Sequence, residues 1–445
     1  MDVTKNNIPE QIPDKKKARK AAAAAIIGTL VEWYDFLLYS TAAAIVFPNL
    51  FFPSDDPFVS QIQSYATFAF GFLARPIGAL IFSHFGDRFG RKAPLVYTLI
   101  LMGFCSFSIG LMPGYESIGV WAPIGLILLR FLQGIAVGGE SGAGIFSMEW
   151  GHKKNQGFMA GLPVIGFSMG LLLSSLTLSL VMKFSGDAFF TWGWRIPFLL
   201  SLVLVVIGLF IRSKTDESPE FSQIKETKQV SQKPIVEVFI KHPKEMALSA
   251  LVKLSENVPF YIFITFMISY SVGTFNIDKQ FLVLATTVAS VLMMINIPLF
   301  AYLSDKVGIK KLYMIGVTLM FLWAIPYVSL ISTGIPIVIF LATILSMFPH
   351  NIQQASQSAL MALSFPPRLR YSGYSISSQL STFIGGGIAP MICTFLIYKF
   401  GSIYAIGFYI LLMTIISFVA TKLLKTYQEK APIEHIEEAT INKSL

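Results

Sequence analysis

The sequence predicts an all-α integral membrane protein with twelve transmembrane helices in two pseudo-symmetric six-helix bundles. Of its 445 residues, 54% are hydrophobic and only 13% are charged, and the mean hydropathy is +0.64. This composition is too apolar for a soluble multidomain chain. Each spanning helix needs roughly 20 apolar residues, and the long unbroken apolar runs lack the alternation of a transmembrane barrel.

Twelve apolar runs, separated by turn and charge signals, predict the individual spans. In order they cover residues 21–48, 61–83, 94–113, 118–145, 157–182, 193–211, 246–272, 280–303, 311–332, 335–361, 373–398 and 403–424. The longest polar interruption, 212–245, divides them six and six and is interpreted as a linker. We therefore expect a basic N-terminal arm (1–20), a first bundle (21–211), a second bundle (246–424) and a short tail (425–445).

The positive charge falls on one side of the predicted membrane. The net charge is +9, and 27 of the 34 Lys and Arg residues lie in the two termini, the linker and every second loop. By the positive-inside rule both termini are expected in the cytoplasm. This distribution indicates a partner in the lipid bilayer and no nucleic acid. A cleaved signal peptide is not expected, because the first apolar run is longer than a signal-peptide core.

Neither a metal centre nor catalytic chemistry is indicated by the reactive side chains. The two cysteines, Cys105 and Cys393, lie in separate apolar runs, and the five histidines are scattered without metal-ligand spacing. No nucleophile with an adjacent base is recognisable. We expect no disulfide, no metal, no cofactor and no enzyme.

The two halves carry related features in the same order, which indicates an internal duplication. The segment beginning at Asp87 after the second run corresponds to the one beginning at Asp305 after the eighth, and Gly157 corresponds to Gly373. An Asp at such a position can accept hydrogen bonds from the start of a neighbouring helix. Topology alone explains the cations, but not the paired Asp and Gly. The predicted cytoplasmic gate or latch consists of Asp87, Arg88, Gly90, Arg91, Asp305 and Lys306.

Several motifs carry a resemblance to a known family. They are Glu32-Trp33-Tyr34-Asp35-Phe36, Arg75-Pro76-Ile77-Gly78, Gly86-Asp87-Arg88-Phe89-Gly90-Arg91-Lys92, Arg130-Phe131-Leu132-Gln133-Gly134, Gly138-Gly139-Glu140, Trp192-Gly193-Trp194-Arg195-Ile196-Pro197-Phe198, Glu217-Ser218-Pro219-Glu220-Phe221 and Arg370-Tyr371-Ser372-Gly373. With them the chain resembles the metabolite:proton symporter family of the major facilitator superfamily across residues 20–425. The resemblance implies alternating access, a cavity lined by helices one, four, seven and ten, a monomer and a prokaryotic inner membrane.

Seven charged residues inside the apolar runs are candidates for the functional site, because a charge at the bilayer centre costs at least ~3 kcal/mol. Glu32 and Asp35 lie three residues apart on the first helix, with Tyr39 on the same face. Two close carboxylates raise each other's affinity for a proton. They are the predicted proton-coupling residues, with Asp35 preferred. The alternative is a fixed ion pair with Arg75 or Arg130.

A guanidinium at mid-membrane can bind a carboxylate through two hydrogen bonds, which makes Arg130 the central candidate for substrate binding. Its alternative is a salt bridge to the first helix. Lys253 and Glu256 are three residues apart and either pair with each other or join the site, while Glu140 is expected to form a structural pair. The predicted substrate-binding residues are Arg130, Gln133, Tyr39, Arg75, Lys253, Glu256, Asn257, Tyr261, Asn351 and Gln354.

Together these features predict a proton-coupled symporter that imports a small organic acid by alternating access. Cavity cations and acids are nearly balanced, so a symporter of a zwitterion such as betaine or proline stands as the alternative. A membrane enzyme and a sensor that has lost transport are two further classes, of which the first lacks catalytic groups and the second is distinguished only by flux.

Overall fold

The computed structural model describes residues 14–140 and 142–427, and within these ranges the regular structure is entirely helical. Most of the predicted basic arm and tail, at 1–13 and 428–445, lies outside the described residues.

The helices of the first half follow the predicted apolar runs. They are α1 (Lys15–Ile45), α2 (Phe47–Phe51), α3 (Pro57–Phe89), α4 (Lys92–Leu111), α5 (Tyr115–Ile118), α6 (Trp121–Glu140), α7 (Ala143–Glu149), α8 (Gln156–Gly161), α9 (Val164–Ser185) and α10 (Arg195–Ser213). A 3₁₀ turn at Lys153–Asn155 precedes α8, and a π-helical turn at Phe189–Gly193 precedes α10. The fourth predicted span is divided between α6 and α7, and the fifth between α8 and α9.

Two short helices lie between the halves, α11 (Pro219–Glu226) and α12 (Pro234–Lys241). The second half then contains α13 (Pro243–Val252), α14 (Leu254–Tyr261), α15 (Met267–Phe275), α16 (Lys279–Val307), α17 (Ile309–Ile331), α18 (Pro336–Ala362), α19 (Arg370–Thr382), α20 (Ala389–Phe400) and α21 (Tyr404–Leu423). π-Helical turns at Ile262–Phe266 and Phe383–Gly387 interrupt the seventh and eleventh spans.

Eleven helical segments of the described chain have the length and apolar composition to cross a membrane. The 33-residue helix α3 lies between the first two of them and matches the second predicted span. The chain is therefore an all-α membrane protein, and in its described residues six spanning segments precede α11 and six follow α12. Many large apolar side chains are exposed on the outer faces, including Phe104, Leu322 and Tyr398, as expected of a surface that meets lipid.

Glycines allow very close contact between helices of the first bundle. A Cβ added to Gly134 of α6 would lie 2.2 Å from the carbonyl oxygen of Gly71 on α3, and one added to Gly170 of α9 would lie 2.7 Å from that of Leu30 on α1. Both distances are far below van der Waals contact, so these crossings require glycine. They bring α3 against α6 and α1 against α9 in the half that contains Asp35 and Arg130.

Candidate functional site

Two adjoining cavities lie between the bundles. The smaller, about 170 Å³, is lined by Glu32, Arg75, Lys253, Glu256 and other polar groups, and we call it the polar cavity. The larger, about 870 Å³, is lined mainly by apolar and aromatic side chains, and we call it the apolar vestibule. Trp33, Phe167, Phe260, Tyr261 and Met293 line both. A largely aromatic wall therefore separates the apolar vestibule from the charged groups of the polar cavity.

The basic and acidic residues of the polar cavity come from both halves of the chain. Arg75 of α3 is 5% exposed, and its guanidinium carbon lies 4.5 Å from the ring centroid of Phe72 and 4.9 Å from that of Phe36. Lys253, between α13 and α14, donates to the hydroxyl oxygen of Ser378 at 2.8 Å. Stacking and hydrogen bonding hold the two cations without neutralising either charge.

Of the two alternatives for Lys253 and Glu256, the local pair with each other is not formed. Oε1 of Glu256 lies 2.8 Å from Nε2 of His350 on α18, while Lys253 is held by Ser378 and Thr382 of α19. Each residue therefore connects its own helix to a different neighbour. Both still line the polar cavity, so their charges remain part of its electrostatics.

Asp35 lies inside the first bundle, where it is 2% exposed. Neither carboxylate oxygen has a hydrogen-bond partner among the described residues, and its polar neighbours are the hydroxyls of Ser106 and Ser201 and the guanidinium of Arg130. Neither Asp35 nor Glu32 forms an ion pair within 4.0 Å in the part of the chain that the structure describes. An isolated buried carboxylate costs several kcal/mol when ionised, and binding a proton removes that cost.

Arg130 of α6 is buried at 3% exposure and stacks on Tyr39, with 4.2 Å from its guanidinium carbon to the ring centroid. Its Nη1 donates to Oε1 of Gln133 at 3.2 Å, and Nε2 of Gln133 donates to Ser106 at 2.7 Å. The Tyr39 hydroxyl donates to Thr67 at 2.6 Å. These contacts orient the guanidinium within the first bundle.

The structure divides the predicted substrate-binding residues into two groups and leaves Asn351 apart from both. The group that lines the polar cavity consists of Arg75, Lys253, Glu256, Asn257, Tyr261 and Gln354, together with the predicted proton-coupling residue Glu32. Arg130, Gln133 and Tyr39 lie behind that wall, beside Asp35. Asn351 is fully buried and faces His350.

One side of the molecule carries α11, α12 and both ends of the described chain, and we call it the linker side. Lys17 near the start of α1 pairs with Asp216 at 2.8 Å, and the backbone N–H of Tyr427 donates to the carbonyl oxygen of Leu363 at 2.8 Å. On α12, burial opposes the ionisation of Glu237, but hydrogen bonds from Ser231 and Lys241 hold its pKa below the usual value.

Two aspartates join the bundles on the linker side in equivalent ways. Asp87, at the end of α3, accepts hydrogen bonds from the backbone N–H groups of Tyr371 at 3.2 Å and Ser372 at 2.8 Å. Asp305, at the end of α16, accepts from Gly157 at 2.7 Å and Phe158 at 2.9 Å. Each carboxylate meets the positive end of a helix in the opposite bundle, and together they close the linker side.

A buried charge network extends this closure. Arg91 is bonded to Asp87, lies 3.3 Å from Glu149 through Nε, and donates to the carbonyl oxygen of Pro367 at 2.8 Å. Arg370 pairs with Glu149 and with Glu220 of α11.

The other residues of the predicted latch lie differently. Arg88 and Lys306 are exposed and stack on the nearby rings of Phe89 and Tyr302. Gly90 has a φ of +123° and leaves room for the carboxylate of Glu217.

Tyr371 reaches from α19 into the first bundle. Its side chain is 1% exposed, and its hydroxyl donates to the carbonyl oxygen of Gly139 at 2.6 Å. The ring passes between Gly86 and Gly142. Backbone and side chain of one residue thus hold the two bundles together.

Four residues of this arrangement are not among the residues predicted from the sequence to be functional. They are His350, Glu149, Arg212 and Tyr371. Arg212, which the sequence places at the start of the linker, lies in α10 at 3% exposure and pairs with Glu140. Glu149 follows an apolar run and has the appearance of a loop residue. A buried histidine on a helix that also carries Asn351 and Gln354 was the signal available for His350.

Two helical bundles around a charged cavity that is closed on one side define a membrane transport protein. A model described as Major Facilitator Superfamily matches residues 36–390 and 258–443. The shikimate transporter of Escherichia coli (strain K12) is 36% identical over 418 residues, covering 93% of this chain and 95% of that protein. The chain belongs to the major facilitator superfamily, among its metabolite transporters, and is a transporter rather than an enzyme.

Other relatives differ in what their names say they carry. A glycine betaine/proline/ectoine/pipecolic acid transporter of Dickeya dadantii (strain 3937) is 33% identical, over 94% of this chain and 85% of that protein. Among solved structures, that of a proton:xylose symporter bound to 6-bromo-6-deoxy-D-glucose superimposes with a TM-score of 0.73 at 16% identity, over 92% of this chain and 96% of that one. This last likeness is one of fold.

Proposed function

We propose that the protein is a proton-coupled symporter that imports a small organic acid across the bacterial inner membrane by alternating access. The observation that carries this proposal is the pair of cations, Arg75 and Lys253, in a cavity between the bundles. A carboxylate held between them would gain charge-assisted hydrogen bonds from both halves of the protein. Binding would then be coupled to the relative position of the bundles.

The role of Arg130 follows from its position. The sequence places it at the substrate, but it stacks on Tyr39 behind the cavity wall and is an electrostatic neighbour of Asp35. In this proposal Arg75 and Lys253 bind the carboxylate, and Arg130 adjusts the proton affinity of Asp35. Deprotonation of Asp35 would be favoured when Arg130 approaches it and disfavoured when Arg130 moves away.

The linker side is assigned to the cytoplasm, in agreement with the excess of Lys and Arg there. The state described is then closed towards the cytoplasm by Asp87 and Asp305, and the apolar vestibule belongs to the external path. Transport would require the bundles at 21–211 and 246–424 to rock about the linker at 212–245, breaking the hydrogen bonds of both aspartates.

A zwitterionic substrate is the second candidate, and a specific observation favours it. Trp33, Phe36, Phe72 and Tyr261 line the apolar vestibule, and aromatic faces bind quaternary ammonium groups by cation–π attraction. The relative named for glycine betaine and proline supports the same candidate. The organic acid is preferred because Arg75 is held by aromatic rings and Lys253 by hydroxyl groups, whereas Glu256 of the same cavity bonds to His350.

Binding of labelled shikimate and labelled betaine to the purified protein distinguishes the two candidates. Loss of one charged hydrogen-bonding group costs about 1.5–3 kcal/mol, so Arg75→Ala should weaken shikimate binding by about 10-fold to 150-fold. Lys183→Ala, a change of an exposed cation near the end of α9, is the matched control and should bind as wild type does. Shikimate binding that is unchanged in Arg75→Ala would contradict the proposal, and binding of betaine alone would favour the second candidate.

A further inference from the structure

A histidine and a glutamate from different helices form a buried pair in the wall of the polar cavity. His350 is 2% exposed and Glu256 is 5% exposed, with 2.8 Å between Nε2 and Oε1. The imidazole stacks on Phe260, with ring centroids 4.9 Å apart and planes inclined by 23°. This packing fixes the ring so that Nε2 faces the carboxylate.

The second ring nitrogen also has a polar neighbour. Nδ1 of His350 lies 3.2 Å from Oδ1 of Asn351, and Nδ2 of that amide is buried without a hydrogen-bond partner among the described residues. A half-turn of the amide exchanges its acceptor for its donor. Asn351 can therefore accept a hydrogen bond from a protonated ring or donate one to a neutral ring. The surroundings of His350 accommodate both protonation states.

The charged and titratable groups around this pair come from both bundles. They are Lys253 and Tyr261 on the same span as Glu256, Glu32 from α1, Arg75 from α3, Tyr313 from α17 and Tyr374 from α19. Glu140, which also lines the cavity, is paired with Arg212.

The formal charges of the cavity decide what a bound anion requires. With a neutral His350, the charges of Glu32 and Glu256 cancel those of Arg75 and Lys253. A bound monocarboxylate would then leave one excess negative charge in a buried site, which is unfavourable. A proton on His350 removes this excess, whereas a zwitterion would need no such proton.

We propose that His350 and Glu256 form a second proton-binding site, which holds a proton while a carboxylate occupies the polar cavity. This inference rests on the proposed function and adds a site in the second bundle to Asp35 in the first. The incoming proton bonds to the lone pair of Nδ1 and converts the neutral imidazole to an imidazolium. The ring then donates through Nε2 to Glu256 and through Nδ1 to Asn351, and the proton leaves from Nδ1 when the carboxylate is released.

The first test measures protons taken up when shikimate binds. Calorimetric titration of the purified protein in buffers of different ionisation enthalpy gives the number of protons bound per shikimate. His350→Gln keeps an N–H donor for Glu256 but has no titrating ring, so it should take up about one proton fewer than wild type. In wild type the Kd for shikimate should change with pH by up to about tenfold per pH unit, and in His350→Gln this dependence should be lost. His84→Gln, on α3 outside the cavity, is the matched control and should behave as wild type. Equal proton uptake in His350→Gln and wild type would overturn the inference.

The second test needs no substrate and therefore separates the two proposals. The ¹⁵N resonances of the His350 ring are assigned by their loss in His350→Gln and followed between about pH 5 and 9. The fraction of imidazolium should be smaller in Glu256→Gln than in wild type under the same conditions, because the negative charge that favours the imidazolium is gone. Failure of wild type to bind any carboxylate would refute the proposed function alone. A ring that stays neutral throughout, or an equal fraction of imidazolium in Glu256→Gln and wild type, would refute the second proton site.

Discussion

Closure of the linker side depends on the fit of Tyr371 between two glycines. A Cβ added to Gly86 would lie 1.9 Å from Cδ1 of the tyrosine ring, and one added to Gly142 would lie 2.1 Å from Cε2 of the same ring. Non-bonded carbon atoms are stable at about 3.5–4.0 Å. An alanine at either position therefore displaces the ring and destabilises the closed arrangement.

The size of the effect follows from the contacts that are lost. Overpacking of this kind costs about 1–3 kcal/mol, so Gly142→Ala should shift the equilibrium away from the closed state by about 5-fold to 150-fold. Tyr371→Phe removes only the hydrogen bond to Gly139, which is worth about 0.5–1.5 kcal/mol, and should shift it by about 2-fold to 12-fold. The glycine substitution is thus expected to have the larger effect.

A single cysteine in the polar cavity reports this equilibrium. Ser358 lines the cavity and is replaced by cysteine, while the native Cys105 and Cys393 are buried. A membrane-impermeant thiol reagent supplied from the linker side should label Ser358→Cys slowly in the parent protein and faster with Gly142→Ala. Gly273→Ala is the matched control, because a Cβ there meets no atom within 4 Å. Labelling at the parent rate in the Gly142→Ala protein would refute the reasoning.

Two further predictions concern the latch and the helix packing. Asp305→Asn loses the charge that binds the amides of Gly157 and Phe158. The equilibrium between the closed and open states should therefore shift towards the open state by about 1–3 kcal/mol, measured by the same labelling assay. An unchanged labelling rate would exclude a role for this carboxylate. Gly78→Ala places a Cβ 1.9 Å from the carbonyl oxygen of Ile135. It should lower the stability of the first bundle by about 1–3 kcal/mol, measured as a lower Tm. An unchanged Tm would show that α3 and α6 can separate freely.

The fold was predictable from the sequence because its signals are local. An apolar run of spanning length forms a helix whether or not its partners are known, since lipid offers the backbone no alternative hydrogen bonds. The exact ends of the helices were harder to predict. Helix α1 begins at Lys15 instead of residue 21, and α10 extends through Arg212 to Ser213. Those ends depend on caps and ion pairs with distant segments.

The site was only partly predictable, because its partners come from different helices. Intramembrane charge directs attention to Arg75 and Glu256, which line the polar cavity, but spacing leaves open whether Lys253 pairs with Glu256. In the structure Glu256 instead forms a hydrogen bond with His350, 94 residues away in the sequence. Helical periodicity places a side chain on a face, and only the packing of the bundles decides what that face meets.

Accumulation of shikimate against its gradient is the most direct test of proton-coupled transport. Proteoliposomes with an imposed inward proton gradient are supplied with labelled shikimate, and its internal and external concentrations are compared. Wild type should accumulate shikimate, whereas Asp35→Asn should accumulate less of it, because a buried amide cannot take up the proton proposed for Asp35 and only the proposed site at His350 and Glu256 remains. Accumulation to the wild-type level in Asp35→Asn would contradict the account.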